Sequence, residues 1–359
     1  MHVLISPTNP QELLAGLTDL LGGSAQALVV ADASLRPPVE AAVPTDFCGI
    51  IMPTSGSTGR PHWAMLPRSA LVWAADASRA RLGTATAWAN PLPLSFIAGL
   101  MTMVRAIVAQ RPYLAVASDL HDLPQPVEPS CLSLVPAQLH RALADLSLTA
   151  RLKAFVSILV GGGALDPTLR RRAEVAGLAI HETYGMTETC GGIVWDGHPL
   201  DGVEVVVDAS EQSGGRISLV TPSAFSGYWG EPTLTAATLR GQAVTTADRG
   251  RWSDGQLTVF GRIDQVVQSG GVKVDLAQLQ QLLDDLFPDQ VACLALPDPA
   301  WGSVIAVAST GPGLDDIRTA LAGCITSAAQ PRRWQGVTVL PRTHSGKLDR
   351  AALAAVWGQ

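Results

Sequence analysis

The chain has 359 residues, 47% hydrophobic and 16% charged, so it is long enough for two domains and too apolar to be disordered. A net charge of −6 excludes the basic stripe on which binding to nucleic acid or an anionic membrane depends. Five scattered cysteines (Cys48, Cys131, Cys190, Cys293 and Cys324) contain no CxxC pair, which argues against structural zinc and for a reducing, cytoplasmic setting.

The N-terminus lacks a basic region ahead of an apolar run and reads as mature sequence, not a signal peptide. Asn9-Pro10 marks a helix start before Gln11–Leu21, and the run Ala27–Ala31 reads as a strand. From Cys48 to Ala179, apolar runs at Cys48–Met52, Tyr113–Ala117, Cys131–Val135 and Phe155–Val160 alternate with helical patterns such as Ala137–Leu146 and Pro167–Ala176. Alternation of this kind predicts mostly parallel sheets covered by helices. The most apolar stretch, Ser95–Ala117, is interrupted by Arg105, Gln110 and Arg111 and is too broken to span a membrane.

Between Gly202 and Gly261 the pattern changes to the short runs VEVVV, RISLV, AVTTA and QLTVF, separated by Gly, Ser and Asp turns, which predicts an antiparallel subdomain. Beyond Arg262, Asp275 caps a helix over Leu276–Phe287, followed by strands at Val291–Leu296 and Val304–Ser309, a helix over Asp315–Ile325 and a terminal helix over Arg350–Val356. The fold expected is α/β with α+β elements. A large N-terminal domain over residues 1–263 holds stacked αβ subdomains and the antiparallel one, and a small C-terminal α+β domain covers 264–359.

Several segments carry groups suited to chemistry. Thr54-Ser55-Gly56-Ser57-Thr58-Gly59-Arg60-Pro61 follows an apolar strand, and its glycines, hydroxyls and amides can wrap a polyphosphate as well as form a surface loop. It is not a Walker A loop, because Arg60 follows the second glycine. Gly161-Gly162-Gly163 follows a second buried strand and lets a flat ligand lie on the backbone, or makes a plain turn. Tyr184-Gly185-Met186-Thr187-Glu188 sets a hydroxyl beside a carboxylate, hard oxygen donors that suit Mg²⁺ shared with phosphates and equally fit a capped helix start. Asp248, Arg262 and the turn Thr343-His344-Ser345-Gly346-Lys347 would each pass singly for solvated surface.

Taken in order, these features resemble the core motifs of the adenylate-forming superfamily: acyl-CoA synthetases, adenylation domains and luciferases. Thr54–Pro61 resembles its phosphate loop, Tyr184–Glu188 its YGxTE motif, Thr246-Ala247-Asp248 its TGD motif, Gly261-Arg262-Ile263-Asp264 its hinge motif GRxD, and Ser345-Gly346-Lys347 its catalytic-lysine motif. The resemblance implies a two-step ligase. ATP and a carboxylate give an acyl-adenylate and pyrophosphate, and coenzyme A then displaces AMP.

In that scheme Thr54, Ser55, Gly56, Ser57, Thr58 and Gly59 cradle the β- and γ-phosphates, and Gly162, Gly163 and Tyr184 help bind the nucleotide. Thr187 contacts the α-phosphate, Glu188 holds Mg²⁺, and Asp248 and Arg262 hold the ribose. Lys347 bridges the carboxylate and α-phosphate oxygens. Asp264 is the hinge of a mobile lid formed by the small domain, and Ser269, Gly270 and Gly271 line the tunnel for coenzyme A. His62 and Gln268 depart from the family, which usually has cations there.

The short N-terminal region, together with Pro91–Leu100 and Arg105, further resembles the compact actinobacterial o-succinylbenzoate:CoA ligases of menaquinone biosynthesis. That implies Arg105 pairs with the second carboxylate of a dicarboxylic substrate while Gly191 and Gly192 let an aromatic acid approach the backbone; Phe96 stands where that segment has histidine. The partners expected are therefore an aryl carboxylate, ATP and coenzyme A, in a cytoplasmic enzyme with no nucleic acid or integral membrane association and with homo-oligomers allowed. The alternatives are a ligase for another aryl or acyl carboxylate, an enzyme charging a carrier protein, and a decayed nucleotide-binding homologue.

Overall fold

The structure, a computed structural model, describes residues 2–5, 9–23, 27–32, 35, 37–38, 41–54, 61–208, 214–342 and 348–357. Ser55, Gly56, Ser57, Thr58 and Gly59 of the expected phosphate loop, and Lys347, lie outside them. The chain separates into two compact units, one of residues 1–206, 218–246 and 252–257, the other of 207–217, 247–251 and 258–359.

The first unit begins as its sequence indicates. Asn9 accepts a hydrogen bond from the Glu12 amide, Pro10 opens the helix Pro10–Leu21, and the stripe Leu13, Leu17 and Leu20 is fully buried against Leu28, Ile50 and Leu66. Five strands form one sheet in the order His2–Ile5, Ala27–Val30, Gly49–Pro53, Trp63–Pro67, Gly227–Tyr228, the first three parallel and the last two antiparallel to their neighbours.

A seven-stranded sheet runs His198–Pro199, Gly191–Trp195, Ile180–Met186, Ser157–Val160, Ser130–Leu134, Ala87–Asn90, Tyr113–Ala115. Its five strands from Ile180–Met186 onward are parallel, as the αβ alternation requires, and the other two turn back antiparallel. The apolar stretch around Arg105 is the helix Ile97–Ala109, buried continuously from Gly99 to Ala106. Among the described residues no helix is long and apolar enough to cross a membrane.

The helix expected over Ala137–Leu146 is two helices, Pro136–Ala142 and Leu146–Leu152. Asp145 interrupts it by accepting from the amides of Ser147 and Leu148 at 2.8 and 3.1 Å, so the carboxylate caps a new helix in preference to sitting inside the old one.

A half-buried network ties the parallel core to its antiparallel return. Asp196 accepts from His181 Nδ1 at 2.7 Å, from Arg170 at 2.9 Å and from the Glu182 amide at 3.0 Å. Burial alone would raise its pKa, but His181, the Glu182 amide and Arg170 outweigh that and hold it at about 2. The folded value is below the unfolded one, about 3.9, so this stabilisation is complete above the unfolded value and is lost as pH falls through the folded one. Asp196→Asn is expected to lower the urea midpoint at pH 6 and to narrow its difference from wild type at pH 2. Equal midpoints at pH 6 would remove Asp196 from the stabilising groups.

The segment expected to be antiparallel is a five-stranded sheet, Glu204–Val207, Gly215–Val220, Ala243–Ser253 and Leu239–Arg240 in order, with Gln256–Arg262 paired to Ala243–Ser253. Its strands are divided between the two sets of residues. In the second unit the sheet order is Val272–Asp275, Val266–Ser269, Gly302–Ser309, Val291–Asp298, with Arg333–Gly336 parallel to Gly302–Ser309. Asp275 caps the helix Leu276–Leu286 through the Ala277 and Gln278 amides, as expected from the sequence. That helix buries Leu279 and Leu283 on Ile305, Val307, Ile317 and Leu321.

Candidate active site

Parallel strands deliver their following loops at one edge, which is why open α/β sheets gather ligand groups there. Ser157–Val160 and Ile180–Met186 are parallel neighbours, so Gly161-Gly162-Gly163 and Thr187-Glu188 leave the sheet at the same, carboxyl, end. The loop beginning at Thr54 is built differently: it connects the antiparallel strands Gly49–Pro53 and Trp63–Pro67, and the Thr54 amide donates to the His62 carbonyl at 2.7 Å to close its neck.

Glu188 sits in a 3-10 turn, Thr187–Thr189, whose start is pinned by the Thr189 hydroxyl, bonded to the Met186 amide at 3.0 Å and the Gly191 carbonyl at 2.9 Å. The residue is 9% exposed. The Tyr228 hydroxyl donates to Glu188 Oε1 at 2.6 Å, and Oε2 accepts no hydrogen bond among the described residues. Burial first, and then the adjacent carboxylate, push the Tyr228 phenol far up, so it stays a donor across the physiological range. The Phe225 amide donates to the Glu188 carbonyl at 2.9 Å, and the Phe225 ring meets Tyr228 edge-on at 4.8 Å.

Tyr228 itself is placed by the edge strand Gly227–Tyr228, which pairs with Ala64 and Met65 directly after the Thr54 loop. At the loop's end, His62 Nδ1 bonds Glu231 at 2.9 Å, and its ring packs 5.6 Å from that of Tyr228. His62, where the family usually has lysine, is thus engaged in tying the loop to the start of the helix Pro232–Thr238. Sequence reading did not single out Tyr228, Phe225 or Glu231. They lie about forty residues after Glu188 in an ordinary turn sequence, and only strand pairing brings them back.

Gly185 is required by space: a Cβ there would lie 2.0 Å from the Gly191 carbonyl oxygen across the hairpin. Gly191 and Gly192 pair with Met186 and Gly185; Gly191 faces Ile97 and Met101 of the helix Ile97–Ala109, whereas Gly192 lies against the Thr183 side chain.

Arg105 lies on that same helix and is the only lysine or arginine that is buried among the described residues. Its Nε donates to Ser78 Oγ at 3.2 Å and its guanidinium stacks 5.0 Å from the Trp88 ring. Burial pushes its pKa down to about 10, which leaves it charged at neutral pH. A cavity of about 10 Å³ beside it has room for a single water.

Among the described residues no cluster of three or more His, Cys, Asp or Glu could hold a metal ion. One carboxylate with an oxygen unengaged among the described residues is nonetheless the donor set Mg²⁺ takes when phosphates and water complete its shell, so Glu188 fits that ion.

In the second unit, Asp248 lies on Ala243–Ser253 and Arg262 ends Gln256–Arg262, strands that pair. Arg262 grips Asp264 with two nitrogens, at 2.9 and 2.7 Å. Ser269 is fully buried and donates to the Ala328 carbonyl at 2.9 Å. Gly270 has φ +56° and lies so close to the Trp301 ring that a Cβ would come within 2.4 Å of it, and Gly271 completes the turn.

The sequence profile described as "AMP-binding enzyme" matches residues 8–229. The probable 2-succinylbenzoate–CoA ligase of Mycobacterium tuberculosis (strain H37Rv) is 35% identical over 95% of this chain and 94% of its own. The 2-succinylbenzoate–CoA ligase of Geobacillus kaustophilus is 28% identical, over 95% and 76%. Among solved structures, the o-succinylbenzoate coenzyme A synthetase of Bacillus subtilis in complex with AMP superposes with a TM-score of 0.76 at 21% identity, covering 98% of this chain and 82% of that one.

Proposed function

Because the chain belongs to the AMP-binding enzyme family, we propose that it is an ATP-dependent o-succinylbenzoate:CoA ligase. The observation that carries the reading is Glu188, a buried residue whose carboxylate has one oxygen fixed by Tyr228 and the other unengaged among the described residues, at the edge where the Gly161-Gly162-Gly163 loop leaves the sheet. The mycobacterial relative matches almost its whole length, which supports the particular acid.

The reaction needs a weak nucleophile to attack an anionic phosphorus. The substrate carboxylate oxygen bonds to the α-phosphorus as the bond to pyrophosphate breaks; the coenzyme A thiolate then attacks the acyl carbon and AMP leaves. Each step calls for held geometry and positive counter-charge. In this reading Thr54 and the loop after it take the terminal phosphates, Gly162, Gly163 and Tyr184 border the nucleotide, and Thr187 offers its hydroxyl to the α-phosphate. Lys347 neutralises the charge between the two reactants. Glu188 would hold Mg²⁺ together with the phosphates, and that ion would supply further positive charge there. Asp248 and Arg262 are assigned to the ribose. Asp264 is the hinge of a C-terminal lid starting at that residue, and Ser269, Gly270 and Gly271 border the coenzyme A path.

The test is thioester formation by purified protein with Mg·ATP and coenzyme A, read by mass spectrometry, with o-succinylbenzoate beside benzoate, ferulate and a fatty acid. A product with o-succinylbenzoate alone supports the assignment, and none with any acid sinks it. A second reading, a ligase for a different aryl acid, is favoured by Phe96 in place of the histidine and by 28% identity to a feruloyl-CoA synthase from Amycolatopsis over 91% of the chain.

Arg105 distinguishes the two. Its cavity admits one water, so a second carboxylate is recognised through that water or after the side chain turns. Arg105→Ala is expected to raise KM for o-succinylbenzoate about tenfold and to leave KM for ATP unchanged. An unaltered KM assigns Arg105 to packing between Ser78 and Trp88.

A further inference from the structure

A carboxylate can bind a metal through one oxygen or both, and what holds the group decides which oxygen is presented. Glu188 has a device for this, and it is supplied by a distant part of the chain. The Tyr228 hydroxyl takes Oε1 at 2.6 Å. The phenol is fixed by its edge-on contact with Phe225 at 4.8 Å and by the His62 ring at 5.6 Å, and His62 is fixed in turn by Glu231 at 2.9 Å. The backbone of Tyr228 is bound as well: its amide donates to Thr235 Oγ1 at 2.9 Å and Gly227–Tyr228 pairs with Trp63–Pro67.

We infer that Tyr228 is a positioning residue for metal-assisted adenylation: it occupies Oε1 of Glu188 so that Oε2 alone is presented to the divalent cation of the metal–nucleotide complex. The inference rests on the reading of Glu188 as the metal-binding carboxylate. It also gives a role to His62, whose imidazole pairs with Glu231 and sets its ring, tilted by 55°, beside the phenol ring. The chain thereby couples the end of the Thr54 loop to the orientation of Glu188 through one aromatic side chain.

The experiment measures Mn²⁺ binding by electron paramagnetic resonance in the presence of a non-hydrolysable ATP analogue, and analogue binding in EDTA by calorimetry, for the wild-type protein, Tyr228→Phe and Glu188→Gln. Tyr228→Phe keeps the ring and deletes one oxygen. The expected result is an approximately tenfold weaker Mn²⁺ affinity, the weight of one hydrogen bond to a charged group, with metal-free analogue affinity unchanged. Raising Mg²⁺ should then restore most of the adenylation rate, which a merely structural defect would not allow.

Glu231→Gln, which loosens His62 without touching the phenol, should shift Mn²⁺ affinity in the same direction by about two- to threefold. It serves as the second variant should Tyr228→Phe not fold. If Tyr228→Phe and Glu231→Gln bind Mn²⁺ as the wild type does while Glu188→Gln does not, the positioning role is overturned and the metal site stands. If Glu188→Gln also matches the wild type, the metal site falls and the positioning role with it.

Discussion

A Glu188→Gln protein is expected to form acyl-adenylate at least about 100-fold more slowly than the wild type, the scale on which removal of a preorganised electrostatic group acts. The amide keeps the shape and still accepts from Tyr228, so the fold should survive, but it takes away the negative charge on which the proposed metal contact through Oε2 depends. Burial makes the charge count for more: at 9% exposure, water cannot substitute for the lost carboxylate. The check is a rapid-quench assay of pyrophosphate release at saturating Mg·ATP, with circular dichroism beside it. A rate within threefold of wild type, in a folded protein, would take Glu188 out of the chemistry.

Lys347→Ala should divide the two half-reactions. Adenylation is expected to fall by about 10²- to 10³-fold, because the role proposed for the lysine is to neutralise the charge that builds between carboxylate and α-phosphate in that step alone. Attack of coenzyme A on supplied acyl-adenylate should change by less than about threefold. Lys347 lies outside the described residues, so this role rests on the likeness of Ser345-Gly346-Lys347 to the family motif, and the split between steps is its direct test. Equal loss in both steps would show that the residue acts on something they share, such as closure or folding.

Local signals were legible wherever the chain's own neighbours supply the physics. Asn9-Pro10 starts a helix because the cap and its amide are three residues apart, and Asp275 does the same before Leu276–Leu286. The parallel sheet follows from apolar runs alternating with amphipathic ones, and the family expected from the sequence is the one whose profile matches residues 8–229. Asp145 shows where such reading fails. The apolar period continues through it, but a carboxylate beside two free amides terminates one helix and begins another.

What the sequence by itself determined is the family, the two-step chemistry the family performs and the αβ character of the first part. Only the tertiary structure decided how Glu188 is held. Tyr228 reaches it because a two-residue edge strand returns to pair with Trp63–Pro67, and His62 is engaged because Glu231 arrives beside it from 169 positions away. Those contacts depend on which strand closes the edge of a sheet. Strand order is set by the burial of many side chains at once, and no local pattern around residue 62, 188 or 228 encodes it.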